Sequence, residues 1–137
     1  MQFLASRSYA VLQVNDRGSG GYGLEFQLGG YKGYGRKMPD DLTDAVKRAI
    51  AQGYADPARV AIYGASYGGY ATLVGLPLPP ELYRRGVNYV GGADLERRGI
   101  PRSFVGPRVV RERRAIHNVD PVKAAGIILT SAVETRF

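Results

Sequence analysis

The sequence predicts an α/β fold: a mostly parallel sheet flanked by helices. Two observations carry this. Short apolar, β-rich runs recur at 9–14, 60–63, 86–92 and 126–131, and helical patterns fall between them. Strands that alternate with helices build a parallel sheet with the helices packed on its faces.

In chain order, "YAVLQV" (9–14) reads as a buried strand that ends at the turn-forming cluster "NDRGSGGYG". The glycine-rich stretch continues to Gly35. Its tyrosines Tyr22, Tyr31 and Tyr34 suggest an ordered connection rather than a linker. Pro39 opens a helix. Leu42, Ala45, Val46, Ala49 and Ile50 share one face of it at the i, i+3, i+4 spacing. Asp40, Asp41 and Asp44 crowd its N-terminal turns, where the helix dipole favours carboxylates, a better account of them than a divalent-cation site. Gly53 suits its C-terminal cap.

Asp56-Pro57 makes a turn, and Val60–Tyr63 forms the second strand. A helix from about Tyr67 runs to Leu76, where "LPLPP" stops it. "GVNYVGG" (86–92) and "GIILTS" (126–131) are the third and fourth strands.

Composition narrows the function. Hydrophobic content of 45% and charged content of 23% over 137 residues suit one soluble globular domain. With no cysteine, disulfides and thiolate metal sites are excluded. The single histidine, His117, has no metal-ligand spacing around it, so no metal site is expected. No apolar run reaches membrane-span length, and the N-terminus lacks a signal-peptide pattern, so the expected location is cytoplasmic. The formal net charge is +7. Seven arginines (Arg97, Arg98, Arg102, Arg108, Arg111, Arg113 and Arg114) are opposed locally by Glu96 and Glu112 alone. Such a segment can hold polyanions weakly, but Phe104 is the one aromatic there that could stack on a base.

"VAIYGASYGGYATL" (60–73) carries the chemistry. Gly64-Ala65-Ser66-Tyr67-Gly68 fits G-x-S-x-G between a strand and a helix, the turn that presents a nucleophilic serine. Its neighbours must be small for strand and helix to approach, which assigns elbow roles to Gly64, Gly68 and Gly69. The Tyr67 N–H at the helix start points at a developing oxyanion. Ser66 is expected to hold a positive φ. "RGSGGYG" resembles a phosphate-cradling loop, but no Lys-Ser/Thr follows it.

The segments "FLASRSYAVLQVNDRGSGGYG", "DDLTDAVKRAIAQGYADPARVAIYGASYGGYATL" and "ELYRRGVNYVGGADLE" resemble the catalytic domain of prolyl oligopeptidase-type serine peptidases, of the acylaminoacyl-peptidase and dipeptidyl-peptidase kind. The resemblance is strongest over 1–76, fair over 81–96 and weakest over 115–137. It implies that 1–137 is a partial α/β-hydrolase catalytic domain acting on peptides without a cofactor. An acyl-enzyme would form on Ser66, with Tyr67 N–H in the oxyanion hole.

The same resemblance marks departures. The family's acid stretch, of the form LLIHGxxDxxV, aligns with "IILTSAVETRF", with Thr130-Ser131 in place of His-Gly and Glu134 at the acid position. The family's catalytic histidine follows the acid by several tens of residues, whereas this sequence ends three residues after Glu134. His117, in "AIHNVDPVKA", precedes the acid and is assigned a structural or surface role. A family strand that precedes Met1, with the loop that supplies the second oxyanion donor, would lie between the 9–14 and 60–63 strands. Without it those two strands either pair directly or leave an open gap. Asp16 stands where the family carries an aromatic residue before Arg17-Gly18. The expected activity of the 137 residues by themselves is therefore absent or very weak. Two other readings are an esterase of the same fold and a non-catalytic basic remnant that binds polyanions.

Overall fold

In a computed structural model, the structure describes residues 2–77, 81–92 and 125–129. His117, Glu134 and the arginines of 97–114 lie outside the described residues, as do the strand ends at 130 and 131.

The described elements are α1 (Gln2–Ala5), α2 (Leu24–Leu28), α3 (Lys37–Ala51), a 3-10 turn (Pro57–Arg59), β1 (Ala61–Ala65), α4 (Tyr67–Gly75), β2 (Arg85–Tyr89) and β3 (Ala125–Leu129). The three strands form one parallel sheet in the order β1-β2-β3. The α/β class and the three strands around the serine turn agree with the sequence reading to within a few residues.

α3 begins at Lys37, two residues ahead of the expected Pro39. Pro39 then occupies the third helical position, where no intrahelical N–H bond is lost. The far end closes as a Schellman motif. Gly53, at φ +75°, donates its N–H to Ile50 O, and Tyr54 N–H reaches back to Ala49 O.

α4 is buried on almost every side, through Gly69, Tyr70, Ala71, Thr72, Val74 and Gly75. Its apolar residues, with Leu76, Tyr83 and Met38, form the core. Burying a side chain such as Val74 contributes about 1.5–3 kcal/mol. The Thr72 hydroxyl, also buried, donates to Gly68 O at 2.9 Å, so this buried donor is satisfied within the helix itself. α4 lies against one face of β1 and β2. At Gly86 an added Cβ would meet Leu76 at 2.7 Å, which measures how closely helix and strand approach. On the opposite face, Tyr63 is 63% exposed and Tyr89 is 48% exposed.

One expectation is corrected. Residues 9–16 form no strand, and 9–13 are exposed. A short apolar, β-rich run alone does not make a strand; a partner must satisfy its backbone hydrogen bonds. Among the described residues, no strand pairs with 9–16, and β1 is the outer strand of the sheet on that side. Of the two arrangements considered for 9–14 and β1, direct pairing does not occur.

Candidate active site

Ser66 links β1 to α4 with φ +54° and ψ −115°, in the positive-φ region expected of it. A non-glycine residue enters that region only where its surroundings over-determine it. Here they do so from three sides. The Ser66 N–H donates to Tyr89 O on β2 at 3.0 Å, and Ser66 O accepts from Tyr70 N–H at 3.1 Å. A Cβ at Gly64 would collide with the backbone of Gly68, so strand and helix meet at a distance only glycine permits. Gly69 is pressed in the same way against Gly91 and the Asn88 side chain.

The glycines of the turn are therefore not equivalent. Gly64 and Gly69 are required by contact, whereas a Cβ at Gly68 would meet nothing within 4 Å. Gly68 contributes the backbone that Gly64 must clear.

Ser66 is exposed, and its hydroxyl makes no capping hydrogen bond to the helix N-terminus. Tyr67 N–H is the first amide of α4. Amides at that position have no intrahelical acceptor and sit at the positive end of the helix dipole. An exposed hydroxyl beside a helix-start amide can serve attack on a carbonyl and capture of an oxyanion where a base is at hand.

The Tyr67 side chain turns the other way. Its ring packs edge-on against Tyr34 with centroids 4.4 Å apart, and Tyr70 lies 6.1 Å off. Its hydroxyl is 3.4 Å from Tyr34 O. Burial pushes the phenol far above its ordinary range, so it stays protonated and serves as packing. Through Tyr34 this cluster ties the end of the glycine-rich connection to the elbow, whereas Tyr22 and Tyr31 of the same stretch are exposed.

Asp16 lies beside Tyr67. One of its carboxylate oxygens, Oδ2, is buried without a hydrogen-bond partner. Burial raises the Asp16 carboxyl above the usual carboxylate range, and the charge of nearby Asp41 adds to the effect. Asp41 behaves oppositely. Arg17 grips it with Nε at 2.7 Å and a second guanidinium nitrogen, and the Arg17 backbone N–H adds a bond at 3.0 Å. That fork holds the Asp41 carboxyl below its usual range. Asp41 thus anchors the 16–18 turn to α3, beyond the dipole role the sequence assigned it. An open cleft of about 640 Å³ lies alongside this pair, lined by Asn15, Tyr22, Phe26 and Asp44 among others, and contains no elbow residue.

Of the residues picked out from the sequence, the structure brings together Ser66, Tyr67, Gly64, Gly68 and Gly69. Glu134 and His117 lie outside the described residues. Sequence reading missed Asn88, whose side chain is 3% exposed against Gly69, and Val90, a β-branched residue at φ +49°. The paired glycines Gly91-Gly92 after the strand were the only signal of that tight turn. No helix among the described residues is long and apolar enough to cross a membrane.

Comparison with known proteins agrees with this geometry. Dipeptidyl aminopeptidase BIII of Pseudoxanthomonas mexicana is 39% identical over 154 aligned positions, covering 98% of this chain and 22% of that protein. Dipeptidyl peptidase family member 6 of Caenorhabditis elegans is 46% identical over 93 residues, 68% of this chain and 13% of that one. Among solved structures, a puromycin-hydrolyzing peptidase of Mycobacterium tuberculosis superposes with a TM-score of 0.78 at 26% identity, covering 85% of this chain and 20% of its own. The acylaminoacyl peptidase of Pyrococcus horikoshii shares the fold, with a TM-score of 0.71 at 23% identity, covering 83% of this chain and 21% of its own. The structural relatives are α/β-hydrolase peptidases, and the chain spans about a fifth or less of the length of these four. The profile of the prolyl oligopeptidase family matches residues 1–105, and the chain belongs to that family.

Proposed function

We propose that this chain carries the nucleophile portion of a serine peptidase catalytic domain, with residues 1–137 as a partial α/β-hydrolase unit. The observation that carries the reading is the elbow: an exposed Ser66 at positive φ between β1 and α4. In this reading Ser66 Oγ attacks the scissile carbonyl and its proton passes to an imidazole. The carbonyl oxygen becomes an oxyanion held by Tyr67 N–H. Collapse expels the amine, which takes the proton from the imidazole, and leaves an acyl-enzyme on Ser66. Water, deprotonated by the same base, then releases the acid and restores Ser66.

The base is proposed to come from outside these 137 residues, because His117 falls before the acid in chain order. Glu134 is proposed to orient it, as a glutamate does in other hydrolases of this order. By themselves the 137 residues should hydrolyse substrates at least about a thousand-fold more slowly than an intact relative, since removing a triad member leaves only binding and the oxyanion hole.

Assays of dipeptidyl anilides and short acyl esters, with Ser66→Ala as control, test the proposal. Slow anilide cleavage that disappears in Ser66→Ala supports the peptidase. Ester cleavage without anilide cleavage favours the esterase reading. Turnover that survives Ser66→Ala removes Ser66 from the mechanism.

A further inference from the structure

We infer that Asn88 is a positioning residue for the nucleophile: it clamps the end of β2 so that Tyr89 O holds Ser66 in its strained conformation. The inference rests on reading Ser66 as the nucleophile.

Asn88 is almost fully buried at the C-terminal end of β2, opposite Gly64 in the parallel register. Its amide is used twice on one residue. Asn88 Oδ1 accepts from Gly91 N–H at 2.8 Å, and Asn88 Nδ2 donates to Gly91 O at 3.2 Å. Both bonds span three residues, so they fold the chain sharply back after the strand. Val90 sits at the apex of that fold with φ +49°, a conformation a β-branched residue avoids unless it is held there.

The fold brings Gly91 and Asn88 onto α4. A Cβ on Gly69 would lie 2.6 Å from Gly91 Cα and closer still to Asn88 Oδ1. A Cβ on Gly91 would strike Gly69 in turn. Side chain and backbone therefore interlock directly behind the first turn of α4. Between Asn88 and Val90 lies Tyr89, whose carbonyl accepts the Ser66 N–H at 3.0 Å.

Consequently the Tyr89 carbonyl is fixed from both sides, by the buried Asn88 before it and the clamped turn after it. It is also the acceptor on the N–H side of the one strained non-glycine residue of the elbow. A buried asparagine that merely filled space would need partners, but not partners whose geometry sets this carbonyl.

The test uses the full 137-residue chain with Asn88→Asp and Asn88→Ala. The aspartate keeps the acceptor for Gly91 N–H and loses the donor to Gly91 O; the alanine loses both. Amide hydrogen exchange is read at Ser66, with Ile62 in β1, whose N–H faces β2 as that of Ser66 does, and Ala49 in α3 as references, and a fluorophosphonate probe reads the rate of adduct formation on Ser66. We expect Asn88→Asp to speed exchange at Ser66 about tenfold beyond any change at Ile62 and Ala49, and Asn88→Ala to speed it further. Adduct formation on Ser66 should slow in the same order. If Asn88→Ala fails to fold, Asn88→Asp decides. Exchange at Ser66 that stays at the wild-type rate, or rises only in step with both references, overturns the inference. If the probe labels another serine and not Ser66, the peptidase reading fails, while the exchange comparison still decides whether Asn88 positions the turn.

Discussion

"YAVLQV" (9–14) and "VAIYGA" (60–65) are similar apolar, β-rich strings, and they end in opposite states. The second becomes β1, paired with β2 over five residues and backed by α4. The first has no place in the sheet; Tyr9 is 63% exposed. The difference lies in what surrounds each string. Residues 60–65 run straight into a glycine turn that folds α4 back onto them, so their packing partner is local in sequence. Residues 9–14 run into a long glycine-rich connection whose close contacts involve Gly18, Gly30 and Met38 and lie beyond the string itself. Strand propensity describes a residue that fits a half-buried pleated surface, and it has effect only where that surface exists.

Substitutions can break or sharpen this comparison. The largest effect is expected at Gly64. Gly64→Val forces a side chain into the Gly68 backbone and should cost about 3 kcal/mol in urea unfolding. Gly68→Ala, four residues on, has open space and a helical position, and should be neutral or stabilising by about 1 kcal/mol at most. Equal losses at the two sites would mean that the turn is not built on the Gly64–Gly68 approach.

Next is the contrast between the two regions. Val74→Ala, in the core, should cost about 2 kcal/mol, whereas Leu12→Ser, in the unpaired string, should change stability by less than about 0.5 kcal/mol. A large loss at Leu12 would show that 9–14 is buried against something after all.

Asp41→Asn should cost about 1 kcal/mol. The fork to Arg17 is bidentate, but Arg17 is 37% exposed, so solvent screens part of its value. Asp41 titrates below its usual range because Arg17 bonds it. Its contribution is present above the unfolded carboxylate pKa and is lost as pH falls through the folded one.

Asp16 gives the smallest effect and the opposite sign. Burial raises its folded pKa, so the folded state binds the proton more tightly than the unfolded chain does. Stability from this group is fully present below the unfolded pKa and declines as pH rises through the folded pKa. Asp16→Asn should therefore stabilise the chain at neutral pH and make no difference near pH 3. Measuring urea midpoints at both values checks the sign.

The legible parts of this molecule are those governed by short-range rules. The G-x-S-x-G turn, the apolar stripe of α3 and its Gly53 closure could each be read from residues within one or two turns of one another. Pro39 mislocated the helix start because proline is tolerated at any of the first helical positions, so it marks a helix without fixing its first residue. Asn88 was invisible because it meets Gly69, nineteen residues away in sequence, only where α4 packs on β2. The 9–14 string misled for a related reason: its local pattern suits a strand, and among the described residues no strand pairs with it.

The central claim is that the elbow presents Ser66 as a nucleophile, and a fluorophosphonate probe followed by mass spectrometry tests it most directly. The account predicts one adduct, on Ser66, formed at least about a thousand-fold more slowly than on an intact relative and abolished by Ser66→Ala. An adduct on any other serine, or one that persists in Ser66→Ala, would contradict the claim. Prompt labelling of Ser66 that His117→Ala abolishes would contradict the assignment of the base to residues beyond this chain.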